Sequence, residues 1–209
     1  MQIVLASNNA KKLAELGALF APLGVALVAQ GQLGVAEADE PHITFIENAL
    51  AKARHAAAAT GLAAIADDSG LCVDALGGQP GVQSAVFAPA PPGTWPDREA
   101  RRAAQDAANN TLLLQRLHGV ADRRAAFVCA LVALRAADDP EPLVAFGRWD
   151  GEILGAPAGS GGFGYDPLMH IPSLGDTVAA LPATLKNARS HRALAAAQMT
   201  ALMRQAWRL

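Results

Sequence analysis

Short, continuously apolar runs alternate along the chain with longer stretches whose apolar residues recur three or four apart. Gln2-Ile3-Val4-Leu5-Ala6 is the first apolar run and reads as a buried strand. Ser7-Asn8-Asn9 marks a turn. Lys11 to Phe20 then places Leu13, Leu16, Leu19 and Phe20 on one face of a helix. Pro22-Leu23-Gly24 ends that helix, and Val25 to Val28 predicts a second strand. Thr44-Phe45-Ile46-Glu47 is a capping box that opens a helix through about Ala59, which Thr60-Gly61 closes. Leu62 to Ala66 reads as a buried strand that ends where two acids begin.

The second half is less regular. Gly77 to Pro96 is rich in glycine and proline and predicts a lid, a binding loop or a linker. Asp97 to Leu117 predicts a long helix closed by His118-Gly119. Arg124 to Arg135 and Leu143 to Asp150 are strand-like, joined by Asp138-Asp139-Pro140-Glu141-Pro142 as an exposed hairpin loop. Gly151 to Gly164 is glycine-rich. Ser190 caps a C-terminal helix with Leu194, Leu202 and Trp207 among its apolar positions. Strands and helices alternate first and hairpin character follows, so the class is α/β with a mixed sheet.

Composition narrows the function. Of 209 residues, 52% are hydrophobic and 17% charged, which allows a sizeable core and excludes global disorder. The formal net charge is −2, with the cations spread out, so no basic stripe for duplex nucleic acid is present. Cys72 and Cys129 lie far apart in apolar runs and read as buried free thiols of a reducing compartment. Glu15, Gly17, Pro22 and Gly24 interrupt the apolar stretch after Lys11-Lys12, so it is not a membrane span. A cytoplasmic protein without a membrane partner is expected.

The candidate chemistry sits at element ends. Asp67 and Asp68 follow an apolar run and precede Ser69-Gly70. Neighbouring carboxylates repel unless a cation or a proton intervenes. Glu40 is a third acid, in a polar loop. An oxygen-only set of this kind suits a hard cation such as Mg²⁺, and no His/Cys spacing supports zinc. Ser7-Asn8-Asn9-Ala10-Lys11-Lys12 joins strand to helix, where free amides, the helix dipole and a lysine could cradle phosphate. A simple capped helix with two solvated lysines is the competing reading. Asn48 and Lys52 share a helix face. The glycine-rich loop around Phe163 lets a ligand approach the backbone, and Phe163 can stack on a base. Lys186 and Ser190-His191-Arg192 put cations at a helix start, the unfavourable end of the dipole, which points to an anionic or hydrogen-bonding partner.

Ala6 to Lys12, Thr44 to Ala49, Asp67 to Leu71, Gly162 to Pro167 and Ser190 to Arg192 occur in that order. Together they resemble the inosine triphosphate pyrophosphatase family, in its bacterial XTP/dITP diphosphatase branch. The resemblance runs from about Gln2 to the C-terminal helix. It implies a single pyrophosphatase domain over 1–209, an elongated mixed sheet flanked by helices, and two lobes around a central active-site cleft. It implies a Mg²⁺-dependent homodimer that hydrolyses ITP, dITP and XTP to monophosphate and pyrophosphate. Ser7, Asn8, Asn9, Ala10, Lys11 and Lys12 would bind phosphate. Glu40 and Asp68 would hold Mg²⁺, with Asp68 also accepting the proton of water. Asp67 and Lys52 would support catalysis, and Ser69 would touch substrate. Phe163, Gly164, Tyr165 and Asp166 would line the base pocket with Lys186, His191 and Arg192.

The chain departs from the family pattern at two places. Gln83 and Val86 stand where the family usually has Tyr and Arg, and Leu185 precedes Lys186 where an acid is common. The alternatives are a Maf-like pyrophosphatase of different base preference and a nucleotide sensor without turnover.

Overall fold

The structure is a computed structural model that describes Met1–Leu209. Seven strands form one sheet in the order β2-β1-β3-β4-β5-β6-β7. They are β1 (Gln2–Leu5), β2 (Ala26–Ala29), β3 (Ala64–Val73), β4 (Arg124–Leu134), β5 (Leu143–Ile153), β6 (Met169–Ile171) and β7 (Asp176–Thr177). The helices are α1 (Ala10–Phe20), α2 (Phe45–Thr60), α3 (Arg98–Arg116), α4 (Ala183–Arg189) and α5 (His191–Leu202). β1 runs parallel to both β2 and β3, whereas β6 is antiparallel to β5 and β7. The mixed α/β sheet expected from the alternation of elements is therefore present.

Two compact units divide the chain, and their boundaries fall inside β3, β4 and β5. The first comprises Met1–Ser69, Val128–Arg148 and Asn187–Leu209. Its sheet is covered on both faces. Side chains alternate across a strand, so Ile3, Leu5 and Ile65 join one apolar cluster and Val4, Ala64 and Ala66 the other. Leu16 and Phe20 of α1 and Ala195, Ala196 and Met199 of α5 close the first face. Ala49, Ala53, Ala56 and Ala57 of α2 close the second, where small side chains let the helix lie close to the strands. Gly147 serves the same close approach: a Cβ there would collide with the His191 carbonyl.

The second unit comprises Gly70–Phe127 and Trp149–Lys186. Its core gathers Leu71, Val73, Leu113, Leu117, Phe127, Trp149, Tyr165, Leu168 and Met169. Asp97 caps α3 by accepting from the Ala100 amide at 2.8 Å.

Several expectations need correction. β3 does not stop at Ala66 but continues to Val73, so Asp67 and Asp68 lie within the strand. Ser69-Gly70 resembles a turn, yet the surrounding backbone stays extended. Leu194 is 44% exposed, and α5 uses Ala195, Ala196 and Met199 instead. Cys129 is buried but Cys72 only half-buried, and both are free thiols. The β4–β5 turn is not uniformly exposed: Asp139 is buried, because its carboxylate accepts from the Arg135 and Glu141 amides. No helix is long and apolar enough to cross a membrane.

Candidate active site

The alternation of β3 decides where each acid points. Ile65 belongs to the α1/α5 face and Ala66 to the α2 face, so Asp67 and Asp68 continue to opposite sides. The two carboxylates therefore point apart, and Lys52 acts on both.

Asp67 meets cations. Lys12 Nζ lies 2.8 Å from its Oδ2 and 3.0 Å from its Oδ1. Arg192 Nε stands 3.6 Å from Oδ2, and the Ser69 hydroxyl donates to it at 2.9 Å. Arg192 also pairs with Glu15 at 3.1 Å. Burial alone would raise the Asp67 pKa, but Lys12, Arg192 and Lys52 outweigh it and hold the carboxyl well below its usual range. Lys12 and Arg192 thus face Asp67 and Glu15, two charges of each sign.

Asp68 meets α2. Lys52 Nζ donates to its Oδ1 at 3.1 Å and Asn48 Nδ2 to its Oδ2 at 3.2 Å. Glu40 reaches the same ammonium at 3.3 Å. Burial lifts the Asp68 pKa most. Lys52 pulls it back and Glu40 pushes it up again, leaving it at about 6. Glu40 is thus a like charge that acts on Asp68 from outside its own strand. Burial works against the Lys52 charge, but Asp67, Asp68 and Glu40 together raise its pKa. One ammonium faces two carboxylates here, so the cluster carries net negative charge. Oxygen donors with an excess of negative charge fit a hard divalent cation, which takes a few carboxylate oxygens and completes its shell with water and phosphate. Glu40 and Asp68 are the residues that would hold it.

The turn before α1 is built by its own side chains. Asn9 is the N-cap, and its Oδ1 accepts from the Lys11 and Lys12 amides at 3.0 and 3.4 Å. Ser7 Oγ accepts from the Asn9 amide at 3.2 Å, and Asn8 Oδ1 from Gly31 at 2.8 Å. The amides expected to be free for phosphate at Lys11 and Lys12 are thus already capped. The Lys12 ammonium is engaged as well, on both oxygens of Asp67.

The second unit holds the glycine-rich loop. Phe163 lies under two cations: Lys186 Nζ is 4.9 Å and Arg102 Cζ 5.5 Å from its ring centroid. Asp166 Oδ2 accepts from Lys186 at 2.7 Å and from the Phe163 amide at 2.9 Å. Gly162 has φ +76°, and a Cβ there would strike that same carboxylate. Tyr165 contributes differently from expectation. Its ring is buried in the core and its hydroxyl donates to the Ser84 carbonyl at 2.9 Å. Burial, then the Asp106 charge, raise its pKa.

Sequence reasoning missed α3 as an organiser. Asn109 donates to the Ser84 and Ala85 carbonyls, each at 3.2 Å, and accepts from the Ala88 amide at 2.8 Å. One position along, Asp106 accepts from the Gly164 amide and Asn110 donates to the Gly164 carbonyl, both at 2.9 Å. The available signal was Gln105-Asp106 and Asn109-Asn110 inside a helix, since Asn and Asp are poor interior residues unless their side chains have work elsewhere. Gln83 and Val86, where the family pattern is broken, lie on the 3-10 segment Gly81–Val86 that Asn109 secures, and Val86 is 62% exposed.

An α/β protein with one buried acid held ionised by cations and its neighbour lifted to about 6 beside a lysine has the kind of site that acid–base chemistry uses. The chain is a member of the Ham1 family, whose sequence profile matches residues 3–202. It is 71% identical over 211 residues to a dITP/XTP pyrophosphatase of Leptothrix cholodnii, covering 100% of each chain. It is 70% identical to a protein of the same name from Methylibium petroleiphilum, covering 99% of each. A HAM1 protein from Coxiella burnetii superposes with a TM-score of 0.87 at 40% identity, covering 99% of this chain and 100% of that one. The Staphylococcus aureus Ham1 protein gives 0.83 at 34% identity, covering 98% and 99%. Membership of this family sets the Maf-like alternative aside.

Proposed function

We propose that this chain is a nucleoside-triphosphate pyrophosphatase, a hydrolase acting on acid anhydrides, that converts ITP, dITP and XTP to their monophosphates and pyrophosphate with Mg²⁺ as cofactor. The names of its relatives support the substrate class. The observation that carries the mechanism is Asp68: a buried carboxylate, lifted to about 6, beside Lys52, Asn48 and Glu40.

Asp68 accepts a proton from the attacking water. Lys52 and Asn48 fix its orientation by holding one oxygen each. Water attacks the α-phosphorus, the bond to the bridging oxygen breaks, and the electron pair leaves with pyrophosphate. Glu40 and Asp68 would hold Mg²⁺, which when bound would supply charge neutralisation on the triphosphate. Lys12, with the Ser7-Asn8-Asn9 turn, Ala10 and Lys11, contacts the phosphates. Ser69 lies two residues from Asp67, on the same strand face, and steadies that acid. Asp67 acts as the fixed counter-charge that keeps Lys12 and Arg192 in place.

For the base, the proposal assigns stacking to Phe163 and polar contacts to Gly164, Asp166 and Lys186. His191 and Arg192 remain assigned to substrate. The pairing of Arg192 with Asp67 and Glu15 supports a positional part for it more than a direct donor to the base. A homodimer in the cytoplasm completes the proposal, and the two free thiols fit a reducing compartment. The test is a panel of nucleoside triphosphates with Mg²⁺, scored for pyrophosphate against orthophosphate. Preference for ITP and XTP with pyrophosphate release is expected, and orthophosphate as the main product rejects the assignment.

A further inference from the structure

Arg102, Asp106 and Asn110 are spaced four apart on α3 and so form one stripe. All three are engaged with two consecutive residues of the glycine-rich loop. Arg102 sits over the Phe163 ring. Asp106 takes the Gly164 N–H, and Asn110 donates to the Gly164 carbonyl. Both main-chain polar atoms of one glycine are therefore fixed by side chains of a single helix. Gly162 is restricted as well, since a Cβ there would strike the Asp166 carboxylate that holds the Phe163 amide.

Asn110 is retained at a cost. Its Oδ1 is buried with no hydrogen-bond partner. A buried acceptor left unsatisfied is unfavourable. The compensating feature is the single bond from Nδ2 to Gly164. That one contact ties the loop backbone at Gly164 to α3.

We infer that Asp106 and Asn110 are positioning residues for substrate binding: they clamp the Gly164 peptide and so set the place of the Phe163 ring. The inference rests on the reading of Phe163 as the base-stacking residue. It assigns to α3 a part in affinity for the base and none in bond cleavage. Loss of the clamp lets the ring wander, which weakens binding of ground state and transition state alike and raises KM with little change in kcat.

The experiment compares Asp106→Ala, Asp106→Asn and Asn110→Ala with wild type. It reads kcat and KM for ITP, and amide hydrogen exchange of Gly164 without nucleotide. Both alanine variants should raise KM about tenfold with kcat within about threefold. Asp106→Asn keeps an acceptor oxygen and should stay near wild type. The Gly164 amide should exchange faster in Asp106→Ala. Unchanged KM in both alanine variants overturns the inference, as does a fall in kcat at constant KM or unaltered exchange. If the alanine variants do not fold, Asn110→Asp keeps the shape, turns the donor into an acceptor against the Gly164 carbonyl, and should raise KM in the same way. If wild type does not turn over ITP at all, the functional reading fails, and exchange alone then decides the clamp.

Discussion

Asp67 and Asp68 are chain neighbours that answer to different lysines: Lys12 stands 2.8 Å from the first and Lys52 3.1 Å from the second. The pleat of β3 sends one to the α1/α5 face and the other to the α2 face. One carboxyl is held ionised and the other is lifted to about 6. Two acids in sequence thus acquire two different uses from their surroundings.

Substitution should separate those uses. Asp68→Asn is expected to lower kcat about 100-fold or more, as for a lost general base. Its melting temperature should not fall, because a carboxyl lifted by burial and by Glu40 does not favour the folded state. Asp67→Asn leaves Lys12 and Arg192 without their shared counter-charge. Breaking a buried pair from one side costs about 3–5 kcal/mol. For a chain of this size the melting temperature should drop on the order of 10 °C. Calorimetry and steady-state rates on both variants check this. Equal loss of stability in the two would contradict the division.

Metal dependence follows from the donor set. Glu40 and Asp68 offer oxygen only, against the single ammonium of Lys52. EDTA should abolish turnover and Mg²⁺ should restore it. Stoichiometric zinc retained through purification would contradict the assignment.

Phe163 should carry affinity for the base. Stacking of a base on an aromatic ring is worth about 1–3 kcal/mol by alanine substitution. Phe163→Ala should therefore raise KM for ITP about tenfold or more, while Phe163→Trp retains most of the affinity. Equal kinetics for Phe163→Ala and wild type would move the base elsewhere.

Asp139 gives the fold an acid-sensitive turn. Its hydrogen bonds with Arg135 come first among the causes that lower its pKa from 3.8 to about 2. A depressed carboxyl contributes stability that is full above its ordinary value and lost as pH falls through the folded one. Wild type should exceed Asp139→Asn in melting temperature by a few degrees at neutral pH. The difference should shrink as pH falls from 3.8 toward about 2. Arg135 is half exposed, so solvent screening keeps the effect modest. A gap that stays constant across that range would contradict the account.

Much of this site was legible in the residues because its motifs are local. Thr44 and Glu47 announce the start of α2, and the helix then carries Asn48 and Lys52 to one face. Asp67-Asp68-Ser69-Gly70 was visible as chemistry but misleading as structure. Serine and glycine after two acids read as a turn, whereas β3 continues to Val73. That continuation is what assigns the acids to opposite faces, and it depends on strand neighbours that no local pattern reveals. β6, β7 and α4 were hidden for a similar reason. They are short and sit among glycines and prolines, where periodicity has no room to show. The α3 stripe escaped because its partners, Gly164 and Ser84, are backbone atoms far along the chain.

The central claim is attack of water, activated by Asp68, at the α-phosphorus of a purine triphosphate. Single-turnover hydrolysis of ITP in heavy-oxygen water, with mass analysis of both products, tests it most directly. The account predicts IMP and pyrophosphate, with the heavy oxygen in IMP alone. Label in pyrophosphate, or release of orthophosphate with IDP, would contradict it.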